Sequence, residues 1–237
     1  MSKRFWTFVS RSPYIELSDW LKNKSINVTI TKKLGNSANG VVFNTDRPVV
    51  LKLVRHPMGE QEAAFQKRAA RANVAPKVRR FVSGVTIPQR IYKRFIGKGN
   101  LSGNQKFDVI IMNHLKIRPD TQVVSMYQYL ESNAPRAAKN RAFDLFTRKT
   151  TRLHRREGIM HGNLHLDNVY VILDASGKIV DMKIIDYGRS SRMGQNIGRV
   201  TSRYAGKEAL FVSPRGTLRT ANNVSLLKAR QWRETLG

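Results

Sequence analysis

The chain has 237 residues, 41% of them hydrophobic, enough to bury a core in one domain or two small lobes. Its 43 Lys and Arg against 16 Asp and Glu give a formal net charge of +27, which points to an anionic partner, either nucleic acid or an acidic protein. The absence of cysteine excludes disulfides, thiolate metal sites and cysteine nucleophiles.

In chain order, residues 1–27 read as a basic N-terminal extension. Its apolar residues Phe5, Trp6, Phe8 and Val9 are interrupted by Thr7, Ser10 and Arg11, too short a run for a signal sequence or a membrane span, so a soluble, intracellular protein is expected. Val28 to Lys33, Val41 to Phe43 and Val49 to Val54 are β-prone runs that predict an antiparallel meander. Glu60 to Ala72 holds no Gly or Pro and predicts a helix ended by Asn73 and Ala75-Pro76. Phe81 to Val85, Gln89 to Phe95 and Val109 to Met112 read as further strands, with a turn cluster over Gly97 to Asn104. Between Ala63 and Phe107 there is no acidic residue, so the positive charge is built into this half rather than confined to a tail.

The character changes near Val123. Ala137 to Arg156 predicts a long helix with Phe143, Phe146, Thr150 and Leu153 on one face. Val169 to Leu173 and Ile179 to Ile185, joined by Asp174 to Lys178, predict a hairpin. Arg189 to Gly237 is again basic and reads as a helix, tether or docking arm, in which Val224, Leu226, Leu227 and Trp232 offer an apolar capping face. The expected organisation is 28–115 as a β-rich half and 116–237 as a helical half, an α+β fold.

Chemistry-bearing residues fall on the loops and strands of this plan. Gly35-Asn36-Ser37-Ala38-Asn39-Gly40 sits between two strands, where glycine allows backbone to approach phosphate, although a plain hairpin turn uses the same residues. Lys52 lies on the next strand, and Glu62, with Glu60 as the fallback, lies on the helix that follows. Further on come His161-Gly162-Asn163-Leu164-His165-Leu166-Asp167-Asn168 and, after the hairpin, Asp186-Tyr187-Gly188.

Taken together these segments resemble the protein-kinase-like superfamily: the Gly-rich loop with serine at its second glycine, the strand lysine with its helix glutamate, the H-G-D-L-H form of the catalytic loop, and the D-F-G element. The resemblance spans roughly Val28 to Gly188, with no A-P-E signature afterwards. It implies a two-lobed fold with a reduced helical second lobe, and ATP with Mg2+ as cofactors. Gly35, Ser37, Gly40, Lys52 and Glu62 would serve the nucleotide, and Asn168 and Asp186 the metal. The catalytic positions would be Lys52, His165 and Asn163, and Asn163 stands where active relatives carry an aspartate base. The amide cannot take a proton near neutrality, so the resemblance implies a pseudokinase acting as a basic binding or structural protein. The alternative is an active divergent Ser/Thr kinase or small-molecule phosphotransferase. Short, basic chains with an Asp-Tyr-Gly element also resemble proteins of large DNA viruses, which implies virion or capsid proteins as partners.

Overall fold

In the computed structural model of the chain, the described residues are 12–37, 40–96, 103–116, 118–192, 209–212 and 218–221. The fold is α+β. Helix α1 (Pro13–Lys22) leads into strands β1 (Ile30–Ser37), β2 (Gly40–Thr45) and β3 (Val49–Arg55), then helix α2 (Met58–Arg71). Strand β4 (Val78–Ile87), the short helix α3 (Gln89–Tyr92) and β5 (Gln105–Asn113) complete a five-stranded antiparallel sheet of order β1-β2-β3-β5-β4.

Strand periodicity decides what β3 does. Successive side chains alternate between the faces of the sheet. Leu51 and Leu53 enter the core that includes Leu17 and Leu21 of α1, whereas Val50 and Val54 pack on the opposite face with Ala63 of α2. Lys52 falls between Val50 and Val54, and so is directed toward α2. The segment read as a basic extension therefore contributes to the core from α1 onward, with Leu17, Leu21 and Ile26 fully buried.

One predicted strand is a helix. Gln89 to Phe95 forms α3 and a following turn, because Ile91, Tyr92 and Phe95 at i, i+1 and i+4 all reach the core from one helical turn, and Pro88 starts it. The turn cluster after it lies mostly outside the described residues.

The second half holds β6 (Gln122–Ser125), α4 (Met126–Glu131), α5 (Arg136–Glu157), β7 (Ile159–Met160), a single 3-10 turn (Leu166–Asn168), β8 (Val169–Leu173), β9 (Ile179–Ile184) and β10 (Ser191–Arg192). Ser125 and Gln128 form a reciprocal capping box at the start of α4. Helix α5 ends at Gly158 in the left-handed region, φ 59°. Strands β6, β8 and β9 form a three-stranded antiparallel sheet, and β7 pairs with β10. Phe146 and Leu153 of α5 are buried with Val169, Val171 and Ile184, and the same core takes Phe65 and Ala69 from α2. Helix α2 therefore packs into both halves of the molecule.

Beyond Arg192, β11 (Ala209–Val212) pairs with β12 (Leu218–Ala221). Val224, Leu226, Leu227 and Trp232 lie outside the described residues. Among the described residues no helix is long and apolar enough to cross a membrane.

Candidate functional site

The alternation that turns Lys52 toward α2 brings it against Glu62, one turn into that helix. Lys52 Nζ lies 2.5 Å from Glu62 Oε1 and 2.6 Å from Asp186 Oδ1, and the Lys52 and Glu62 side chains are 4% and 2% exposed. Burial alone would lower the Lys52 pKa, but the two carboxylates outweigh it and hold the ammonium above its ordinary range. Burial pushes the Glu62 carboxyl up, with Lys52 opposing. Asp186 is also pushed up by burial, yet the Lys52 charge and hydrogen bond leave it below the usual carboxylate range. One cation thus serves two carboxylates, and Asp186, a quarter exposed, is the one that meets solvent.

Asp186 adopts φ 66°, a left-handed conformation uncommon outside glycine. Several contacts hold that backbone. His161 Nε2 donates to the Ile185 carbonyl at 2.8 Å, and the Ile185 N–H donates to the Asn168 carbonyl at 2.9 Å. Ser190 Oγ donates to the His161 carbonyl, and Gly162, φ 75°, must be glycine because a Cβ there would sit 2.0 Å from the Arg189 carbonyl oxygen. His161 is fully buried, and its ring meets Tyr187 edge-on at 4.8 Å. It is a structural post beneath the loop, and its pKa is pushed down to about 4 by burial.

These parts open onto a cavity of about 1250 Å³. Gly35, Val42, Val50, Lys52, Glu62 and Met112 line it from the first half, and Asp167, Asn168, Ile185 and Asp186 from the second. Lys32, Arg47, Lys116 and Arg118 also line it, so the cleft is cationic well away from Lys52. Asn168 donates through Nδ2 to the Asn163 carbonyl at 2.8 Å, an orientation that leaves its oxygen as the acceptor for a cation.

Gly35, Lys52, Glu62, Asn168 and Asp186, expected from the sequence at the nucleotide and metal positions, all line this cavity. Three others stand apart. Gly40 does not line the cavity; a Cβ there would lie 2.0 Å from the Leu53 carbonyl, so its glycine serves the close pairing of β2 with β3. Asn163 and His165 are not among the lining residues either, whereas Asp167, two positions from His165 and 3.7 Å from it, is. The side chain of Ser37 is outside the description. The fallback Glu60 is exposed at the start of α2, on the side away from Lys52.

The sequence reading missed a cluster around the buried Asp108, at the start of α2. Asp108 of β5 accepts from the backbone N–H groups of Gly59 and Gly84, each at 2.9 Å, and from Ser83 Oγ at 3.1 Å, and it lies 2.9 Å from His56 Nδ1. Ser83 and Asp108 both address the same ring nitrogen of His56, so this is not the relay of a serine hydrolase, which needs one partner on each nitrogen. Its role is to fix the first turn of α2, and the only sequence signal was the lone acid that ends the acid-free stretch.

No protein-family model and no curated protein matches the chain.

Proposed function

We propose that the chain is a two-lobed, protein-kinase-like pseudokinase that binds Mg-nucleotide in the cleft and has lost most phosphotransfer through Asn163. The observation that carries this reading is the burial of Lys52 between Glu62 and Asp186 at the head of a cleft that Asn168 also lines. A buried ion cluster of this kind is weak as a stabilising device, since desolvation offsets its attraction. Its value is to hold an ammonium and a carboxylate where phosphates and their metal would sit. The left-handed Asp186 supports the same reading, because backbone strain persists where surrounding contacts over-determine it.

The donor set fits magnesium. That ion takes one or two carboxylate or amide oxygens and completes its shell with phosphate oxygens and water, so Asp186 and Asn168 suffice without a cluster of acids. When bound, it would supply neutralisation of phosphate charge. Lys52 would contact phosphate oxygens, Gly35 would leave room for backbone approach, and Val42, Val50, Met112 and Ile185 would receive an apolar ring.

A second reading, an active divergent kinase, draws support from Asp167, a carboxylate two-thirds exposed and lining the same cavity. Transfer of labelled phosphate from ATP with Mg2+, compared for wild type, Asn163→Asp, Asp167→Asn and Asp186→Ala, separates the two. Activity only in Asn163→Asp supports the pseudokinase. Wild-type activity lost in Asp167→Asn and Asp186→Ala supports the kinase. Absence of Mg-nucleotide binding in folded wild type overturns both.

A further inference from the structure

The formal charge of +27 is far more than a nucleotide cleft requires, and its distribution on α5 is ordered. Arg141, Arg148 and Arg152 are exposed on this helix. At about 100° per residue they fall within about 40° of one another around the axis, in a row about 16 Å long. Arg155 and Arg156 are exposed at the end of the row. Between Arg141 and Arg156 the only acidic residue is Asp144. Glu157, just beyond, is turned toward α2, with its carboxylate 3.6 Å from Arg68. Lys149 is not part of this face. It is 4% exposed and donates to the Asn73 carbonyl and to Asp181, so the cations of the outward row are arginines, with Asp144 exposed at its margin.

We infer that the outward face of α5, built on Arg141, Arg148 and Arg152, binds the phosphate backbone of a nucleic-acid duplex. Phosphates of one strand recur about every 3.4 Å of duplex axis and are spaced more widely along the winding backbone, so a row about 16 Å long offers its three arginines to successive phosphates. Arginine presents a planar fork that matches phosphate oxygens two at a time. An acidic protein partner would need apolar or aromatic anchors at the centre of its interface. Among the described residues the exposed large hydrophobics are Ile15, Leu34, Met58, Tyr127 and Val180, and none of these lies on α5. A polar, strongly positive surface without such anchors is the character of nucleic-acid interfaces. This binding is independent of the cleft and of the kinase-like reading.

The test is fluorescence anisotropy of a labelled duplex against salt concentration, with full-length wild type, a triple variant Arg141→Ala, Arg148→Ala, Arg152→Ala, and a control triple variant Lys22→Ala, Lys93→Ala, Lys106→Ala. The control removes the same charge from exposed positions elsewhere. Each phosphate contact adds about 0.9 to the slope of log affinity against log salt. The arginine variant is expected to flatten that slope by about 2 to 3, the control by less than about 1, and a triple Arg→Lys variant is expected to stay near the wild-type slope. Equal losses in the two alanine variants would overturn the assignment to α5. Equal binding of wild type to a polyglutamate competitor of matched charge would overturn nucleic acid as the partner. Retained nucleotide binding in the arginine variant separates this result from any failure of the cleft.

Discussion

Lys52 and Glu62 are ten residues apart in sequence and meet at 2.5 Å where almost no solvent reaches. Strand β3 and helix α2 are thereby joined at the head of the cleft. Replacement of Lys52 by Met leaves Glu62 buried without its cation and should cost about 3–5 kcal/mol. Adding Glu62→Gln to that variant should recover part of the loss, because the two groups act as a unit. Urea unfolding of the two single variants and the double variant measures the coupling, and additive losses would show that the pair is not coupled.

Gly35 and Gly40 look equivalent in a glycine-rich loop but stand in different surroundings. A Cβ at Gly35 meets nothing within 4 Å, while one at Gly40 meets the Leu53 carbonyl oxygen at 2.0 Å. Gly35→Ala should change stability by less than about 0.5 kcal/mol, and Gly40→Ala should cost about 1–3 kcal/mol as β2 and β3 are forced apart. Chemical denaturation of both variants checks this, and equal effects would remove the distinction.

The elements carrying the cleft were readable because each rests on a local signal. The apolar, β-prone run Val49 to Val54 predicted β3, and the Gly/Pro-free run over Glu60 to Ala72 predicted α2. Burial of Glu62 rather than Glu60 follows from which side of α2 faces the sheet, which needs only a helix phase. Gln89 to Phe95 misled because a short amphipathic turn and a short strand share the same residue types, and tertiary packing of Ile91, Tyr92 and Phe95 decided between them. Nothing local in the sequence marks Lys149 as buried, since its partners, Asn73 and Asp181, are distant in sequence. Asp108 was invisible for the same reason: its value lies in four contacts from two distant segments, 56–59 and 83–84.

Those contacts make Asp108 the post on which the first turn of α2 stands. Burial would raise its carboxyl pKa, but the Gly84 and Gly59 amides and His56 outweigh this and hold it below the usual range. Asp108→Ala leaves two backbone N–H groups without their acceptor and should destabilise by about 2–4 kcal/mol. Because α2 carries Glu62, nucleotide affinity should fall further than in a variant of equal stability loss made in the second core, such as Leu153→Ala. Calorimetric titration of both variants with Mg-nucleotide is the measurement, and equal affinities would show that Asp108 acts on stability alone.

His154 and His161 set the acid limit of the fold. Burial pushes each down to about 4, from an ordinary value of 6.5, so both are neutral in the folded chain near pH 7. In the unfolded chain they protonate near pH 6.5, and between that value and about 4 the unfolded state therefore holds more protons than the folded one. Their contribution to stability is full above about pH 6.5 and is lost progressively as pH falls. The carboxylates held low, Asp108, Asp181 and Asp186, lose theirs only below the ordinary carboxylate range, so they do not mask this window. From pH 7 to pH 5 the unfolding free energy should drop by on the order of 2 kcal/mol per histidine. Urea denaturation across that range, repeated with His154→Leu, should show about half the wild-type slope in the variant; an unchanged slope would mean that His154 is already charged in the folded chain.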